Sequence, residues 1–546
     1  MNADENFEKI SQEMVTKLLD KNPEMATFLG LHDPYDQIWP KGSADRYFEN
    51  VELFEEWLRR LSSNIRREEI SDDHKIDWEA IEHSKEDWKF FVYEQRMYEL
   101  NPDAFDEIGG AIFLMFSRDY APLEKRTNDI SARVEKLPKY LEEFHARFEK
   151  SQPVRLWTEI AVEKAQGISG LFQFILYTVK GKVSDKIFER LSNAVTKLEP
   201  ALEAHMRWLQ GLLPRTKEDW ALGREKFEKL LKVRKLGLSS DEILRIGIKY
   251  LADLKVEREK IAKQIASGKT VEEVMKDVES KAPETFEDGL EFTRKTMEDA
   301  KRFIQEKNIA TVYSEDVLLV KETPAFMTPV IPFAAMMMSA KFDKPQIGIY
   351  IVTRPKDAAN LGKHLNYASV RNTAVHEAFP GHFLQGAISN RGSIARLLPQ
   401  GNETIEGWAH YCEQMMYEKG FIADLETRLM QVNDVIWRAV RIIVDVKLSR
   451  GEMGFEEAVE MLMKEAAMSR EAAVAEVKRY TQTPGYPLSY LLGKHLILKL
   501  KEEIKAKMGN RFDDKFFHDT ITANGYLPVS LLRRVFDQKI SNVKTS

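Results

Sequence analysis

The sequence predicts a mainly α-helical protein of two lobes with one small β-sheet late in the chain. Three observations carry this. Apolar residues recur at helical spacing up to about residue 310 and again from Asn360 onward. Between about Val312 and Thr353 the pattern changes to short β-branched runs bounded by Pro or Asp. The length, 546 residues, suits two to four domains or one large two-lobed unit, and 43% hydrophobic with 31% charged residues is the composition of a folded chain.

Taken in order, residues 5–20 place Phe7, Ile10, Met14 and Leu18 on one helix face, and Asn22-Pro23 ends that helix and starts the next. GLHDPYDQIWPKG, Gly30 to Gly42, reads as a loop. Helices follow from Asp45 to about Lys150, with breaks expected at Asn101-Pro102, Gly109-Gly110 and Pro122, and continue to about Leu213. Residues 223–310 are helical too. Ser239 or Ser240 caps one helix, with Glu242 in its first turn, and another starts after Gly268. VLLVKETP and QIGIYIVTRP read as strands. A soft boundary near residue 310 separates a helical part, 1–310, from a part, 311–546, that holds the strands and the motifs below, with the two lobes interwoven.

Bulk properties narrow the function. The net charge is −6 with both signs mixed and no basic stripe, which argues against nucleic acid. The single cysteine, Cys412, excludes an internal disulfide framework and fits a reducing compartment. MNADENFEKISQEM lacks the apolar segment of a secretory signal, and the longest apolar run, Phe333 to Ala340, is too short to span a bilayer. A cytoplasmic location without membrane contact is therefore expected. The oligomeric state is open, a homodimer included.

The chemistry concentrates in RNTAVHEAFPGHFLQ. His376 and His382 suit metal ligands, and Glu377 suits the general base beside them. In the common His-Glu-x-x-His pattern the histidines share a helix face; here they are six apart. Pro380 cannot donate to the carbonyl of His376 and Gly381 takes unusual backbone angles, so a kinked or bulged helix is expected to bring the imidazoles together, the alternative being that Pro-Gly ends the helix and leaves His382 in a turn. In ETIEGWAHYCEQ, Glu406, His410 and Glu413 fall at i, i+4 and i+7. Glu406 is the candidate third ligand, with Glu403 its rival; Glu413 suits orienting a ligand histidine, with His410 beside the site. Such a set fits one zinc ion with an open position for water. Arg479, Tyr480 and Tyr490 are candidates for steadying an oxyanion, and Ile347 to Thr353 for pairing with a substrate backbone.

HEAFPGHFLQ followed by EGWAHYCE resembles the family numbered 885 among the domains of unknown function, whose pattern runs HExxPGHxxQ then EGWxxYxE. NPEMATFLGLHDPYD, LEKRTNDISARVEKLPKYL, RYTQTPGYPLSYLLG and FFHDTITANGYLP resemble its other segments in order, so the resemblance covers nearly the whole chain. Two positions depart from it: Tyr486, where the family often has Gln, and His410, where an apolar residue is expected. The family is similar to zinc peptidases of the carboxypeptidase Taq and neurolysin groups, which implies a helical fold around a central cleft and hydrolysis of short peptides, with carboxypeptidase action preferred. Arg371 and Lys494, with Arg479, are then candidates to hold a terminal carboxylate. A zinc hydrolase acting on a non-peptide amide and a non-catalytic peptide-binding protein are the alternatives; the retained Glu377 argues against the second.

Overall fold

The computed structural model describes residues 2–324, 328, 331, 333–399 and 401–545, and helices dominate it. Ala3–Lys21 buries Phe7, Ile10, Met14 and Leu18, and Asn2 with Glu5 closes a capping box at its start. Ser239 with Glu242 and Thr270 with Glu273 do the same for Ser240–Ile265 and Val271–Ser280. One expected break is absent: the helix Phe105–Ser117 runs through Gly109-Gly110. Ile108 and Ile112 are buried on either side of the pair, and that burial outweighs the roughly 0.5–1 kcal/mol each glycine costs inside a helix.

The chain divides into two compact units, Met1–Trp220 and Ala221–Ser546, well before the expected boundary at 310. Helix packing sets this division. Ser240–Ile265 lies along Leu425–Ser449, where Ile243 and Ile261 share one core with Val432, Ile436 and Ile442. The two helices meet at Gly247, where an added Cβ would stand 2.7 Å from Ile442 Cγ2. Residues 221–310 thus belong with the second half of the chain.

In the first unit, polar residues of LEKRTNDISARVEK hold the 30–42 loop. Arg133, fully buried, donates to Thr27 Oγ1 at 2.6 Å and to the Tyr35 carbonyl at 3.1 Å, and its guanidinium lies over the Trp39 ring. Gln37 donates to Asp129 at 2.9 Å. Asp36, also buried, accepts from Thr27 and pairs with His32. Two separated sequence segments thus meet in one polar network, which explains why buried charge is tolerated there.

The second unit holds a three-stranded sheet, β1 Val317–Glu322, β2 Ala334–Met337 and β3 Ile347–Val352, in the order β1-β3-β2. β1 is parallel to β3 and β2 antiparallel to it. β1 and β3 match the two expected strands; β2 lies within what the sequence presents only as an apolar run. The role expected for Ile347 to Thr353 needs correction: β3 is the central strand, its backbone groups are taken on both sides, and β2 is the edge nearest the site. Phe383 packs against Gly348, where an added Cβ would stand 2.4 Å from the ring, so sheet and metal-motif helix are in direct contact. No helix among the described residues is long and apolar enough to cross a membrane.

Candidate metal centre

The helix that starts at Tyr367 widens into a single π-turn at Ala374–Ala378, and a new helix starts at His382. Between them the Phe379–Pro380 bond is cis, and the Gly381 N–H donates to the Val375 carbonyl at 3.1 Å. Gly381 passes so close to the preceding turn that an added Cβ would stand 1.8 Å from the His376 carbonyl oxygen. Only glycine fits. A π-turn is a common device for placing functional side chains, and here the turn and the break together set the imidazoles of His376 and His382 with ring centres 4.9 Å apart and planes at 88°. Both sequence alternatives are partly realised: the helix is bulged, and it also ends, but His382 opens the next helix rather than lying in a turn.

Glu406 comes from Asn402–Glu418, which crosses Ser489–Met508 at two facing glycines. A Cβ on Gly407 would stand 2.3 Å from the Gly493 carbonyl carbon, and one on Gly493 would stand 2.1 Å from the Glu403 carbonyl oxygen. Trp408 donates from Nε1 to the Pro380 carbonyl at 2.8 Å, tying this helix to the turn between the histidines. The Gly-Trp of the motif is therefore what seats Glu406 against the imidazoles.

His376, His382 and Glu406 each offer one donor atom within 4.8 Å of the others. His382 Nε2 lies 3.5 Å from Glu406 Oε2. Zinc bonds of about 2.0–2.2 Å in a tetrahedron put donors roughly 3.3–3.6 Å apart, so this pair already stands at ligand spacing. His376 Nδ1 donates to Glu413 Oε1 at 2.7 Å, which leaves Nε2 as the free donor. The donor set fits a divalent ion of the zinc type. Glu413 is buried, and its other oxygen accepts from Asn372 at 3.3 Å. Burial opposes its charge, but the bond from His376 and the charges of Arg438 and Lys494 hold its carboxyl below the usual range. Burial is likewise outweighed for Glu406, which the bonds from His382 and Tyr486 hold at about 2, and for His382, which Glu406, Glu377 and Glu413 raise to about 9.

These side chains line a cavity of about 550 Å³. Glu377, Tyr486, Tyr490, Arg438 and Arg441, and Ala335 and Met336 of the edge strand β2 also line it. Tyr486 donates to Glu406 Oε1 at 2.6 Å and stands 3.3 Å, hydroxyl to hydroxyl, from Tyr490.

The sequence matches, over residues 23–536, the family described as "Bacterial protein of unknown function (DUF885)". The chain belongs to that family. No curated protein matches it. Two solved structures share the fold of this DUF885 chain. One, from Shewanella oneidensis, is 22% identical over 97% of this chain and 99% of its own, with a TM-score of 0.80. The other, from Colwellia psychrerythraea, is 20% identical over 99% of this chain and 100% of its own, with a TM-score of 0.84. Each is described as a "putative lipoprotein", the first of unknown function.

Of the residues expected at the site of this DUF885 member, His376, Glu377, His382, Glu406 and Tyr490 come together on the cavity, with Glu413 directly behind His376. His410 is fully buried, its ring centre 5.2 Å from that of His376; burial pushes it far down, so it is neutral. Glu403, the rival ligand, is instead paired with Arg234 at 2.5 Å. Four positions fall elsewhere. Tyr480 accepts from Arg441 at 2.8 Å and Arg479 pairs with Glu476, and neither lines the cavity. Arg371 pairs with Asp424 at 3.4 Å, away from the wall. Lys494 is buried, its amine lowered to about 8 by that burial against the opposing pull of Glu413, and it too lies off the wall. Sequence reasoning missed Tyr486, Arg438 and Arg441. The arginines had one signal: with Asp445 they are the charges in IWRAVRIIVDV, an otherwise apolar stretch.

Proposed function

We propose that this protein is a zinc-dependent hydrolase of short peptides. The observation that carries the reading is the convergence of donor atoms of His376, His382 and Glu406 within 4.8 Å of one another, with Glu377 on the same cavity and Glu413 fixing the tautomer of His376. Zinc in such a site would polarise a carbonyl and acidify a bound water. The chain's own residues supply the rest. Glu377 accepts the proton of the attacking water and passes it to the leaving amine. Tyr490, with its ring 4.5 Å from the Arg441 guanidinium, offers a hydroxyl to the developing oxyanion, and Tyr486 steadies Glu406. The outer strand β2, whose Ala335 and Met336 line the cavity, suits an extended peptide better than a compact amide.

The volume, about 550 Å³, matches a ligand of a few residues and not a folded protein. Cys412 is a free thiol and fully buried, so the reading keeps a reducing, cytoplasmic setting; the lipoprotein description belongs to the two neighbours. The test is metal analysis of the purified protein with a cleavage screen by mass spectrometry that offers short peptides beside acyl amino acids. Zinc near one equivalent and peptide cuts are expected. Metal-loaded protein that cuts only acyl amino acids would move the reading to a non-peptide amide, and protein that binds peptides without cutting them would make it a binder.

A further inference from the structure

The helix Leu425–Ser449 brings Arg438 and Arg441 to the cavity wall, their guanidiniums 4.5 and 4.0 Å from the Trp437 ring. Their side chains are only 14% and 5% exposed. Buried charge at this depth needs counter-charge, and here it is shared or loosely held. Arg441 and Arg479 share one carboxylate, Glu476, at 3.1 and 2.8 Å. Arg438 has Asp434 at 3.7 Å, a loose contact, and Asp434 also accepts from Asn372. Glu413 feels Arg438 as well, but its oxygens are taken by His376 and Asn372. Arg441 thus shares its carboxylate with Arg479, and Arg438 holds Asp434 only loosely while donating to the Asp434 carbonyl at 3.2 Å. Arg438 Nε, fully buried, makes no hydrogen bond among the described residues.

We infer that Arg438 and Arg441 form the anion subsite of this cavity and hold a peptide carboxylate, the free C-terminus of the substrate. For the identity of the substrate this rests on the peptidase reading. A guanidinium offers two parallel N–H groups that match a carboxylate, and enclosure by Trp437 and Tyr490 keeps competing water away. A substrate anchored here by its terminus presents its last peptide bonds to His376, His382 and Glu377 across the same cavity, which makes the enzyme a carboxypeptidase. The anchor is this pair, not Arg371, Arg479 or Lys494.

Binding to metal-free protein tests this, because zinc itself attracts carboxylates and turnover is then irrelevant. Calorimetry would compare N-acetyl-Ala-Phe, its C-terminal amide and N-acetyl-Asp-Phe amide. The free acid should bind roughly ten- to a hundredfold more tightly than either amide, and Arg438→Gln and Arg441→Lys should each erase that preference. Equal binding of all three ligands overturns the subsite. Tight binding of the Asp amide overturns the terminal assignment in favour of an acidic side chain. A preference that survives in both folded variants overturns the arginine assignment. Should one variant fail to fold, as circular dichroism would show, the other still decides the arginine assignment and the wild-type comparison the carboxylate preference. Cleavage without carboxylate preference would remove this inference alone; carboxylate preference without any cleavage would remove the peptidase reading alone.

Discussion

Glu413 offers the sharpest test of the metal centre, because it touches the proposed ligand set through one bond. Its Oε1 accepts from His376 Nδ1 at 2.7 Å in a fully enclosed setting, and Asn372 donates to its other oxygen. Glu413→Gln keeps the shape and one acceptor but removes the charge that fixes the tautomer and makes His376 a stronger donor. Groups in this position are worth about 10–100-fold in metal affinity, or about 1.4–2.7 kcal/mol. The amide can also turn its NH₂ toward His376 and favour the wrong tautomer, which pushes the loss toward the upper end. Glu413→Ala goes further, leaving the His376 donor buried without this acceptor, at about 1–3 kcal/mol, while Asn372 keeps only its bond to Asp434. Competition with a chelating dye measures the zinc affinity, and urea unfolding of the metal-free protein measures stability. Glu413→Gln should weaken zinc at least tenfold with unfolding nearly unchanged, whereas Glu413→Ala should lose both. Wild-type zinc affinity in a folded Glu413→Gln protein would refute the reasoning, since His376 would then not be a ligand oriented by this bond.

Other expectations follow from the same geometry. Glu377→Gln should retain zinc while turnover of short peptides falls about 10²–10⁴-fold, the usual cost of losing a general base; near-normal turnover in the loaded variant removes Glu377 from that role. Glu406→Ala should lose zinc, whereas Glu403→Ala should keep it and instead lose about 3–5 kcal/mol of stability by stranding Arg234; metal content and urea midpoints of the two variants decide between them. In metal-free protein, Glu406 is held at about 2 and His382 at about 9, against ordinary values of 4.5 and 6.5. The Glu406 contribution is present above 4.5 and lost as pH falls toward 2; the His382 contribution is present below 6.5 and lost as pH rises through 9. The stability advantage over Glu406→Gln should therefore peak between pH 4.5 and 6.5 and shrink on both sides, and a flat difference in urea unfolding would contradict it.

What the sequence revealed and what it hid divide along the range of the signal. His376, Glu377 and His382 lie within seven residues, and Pro380-Gly381 between them announces that the helix cannot run on unbroken. Glu406 and Glu413 sit seven apart on one helix, so their common face was also readable. Arg371 misled because closeness in sequence is not closeness in space: five residues at about 100° each turn a side chain about 140° away from His376 on a helix. Lys494 and Arg479 failed for a related reason, since being near a motif says nothing about which side of the helix meets the cavity. The 310 boundary failed because the change from helix to strand is visible in a sequence, whereas the long contact between Ser240–Ile265 and Leu425–Ser449 is not.

Tyr486 and the two arginines show what could have been read with a different question. Tyr486 stands where the resembled pattern often has Gln. In the fold it is the donor to Glu406. A Gln amide can also donate to a carboxylate, so the substitution conserves a donor beside Glu406, and the position belongs to the candidate metal centre. Arg438 and Arg441 carry no motif, but the stretch DVIWRAVRIIVDV, 434–446, contains both of them with Asp434 and Asp445 in a run that is otherwise apolar. Four charges in a stretch whose other residues are apolar cannot all reach solvent, and the cost of enclosing a charge means that each must meet a partner or a ligand. Asp445 meets the backbone N–H groups of Gly485 and Leu488, fixing the loop that carries Tyr486. Arg438 and Arg441 meet the cavity. The charges that the apolar pattern could not accommodate are those that build and line the site.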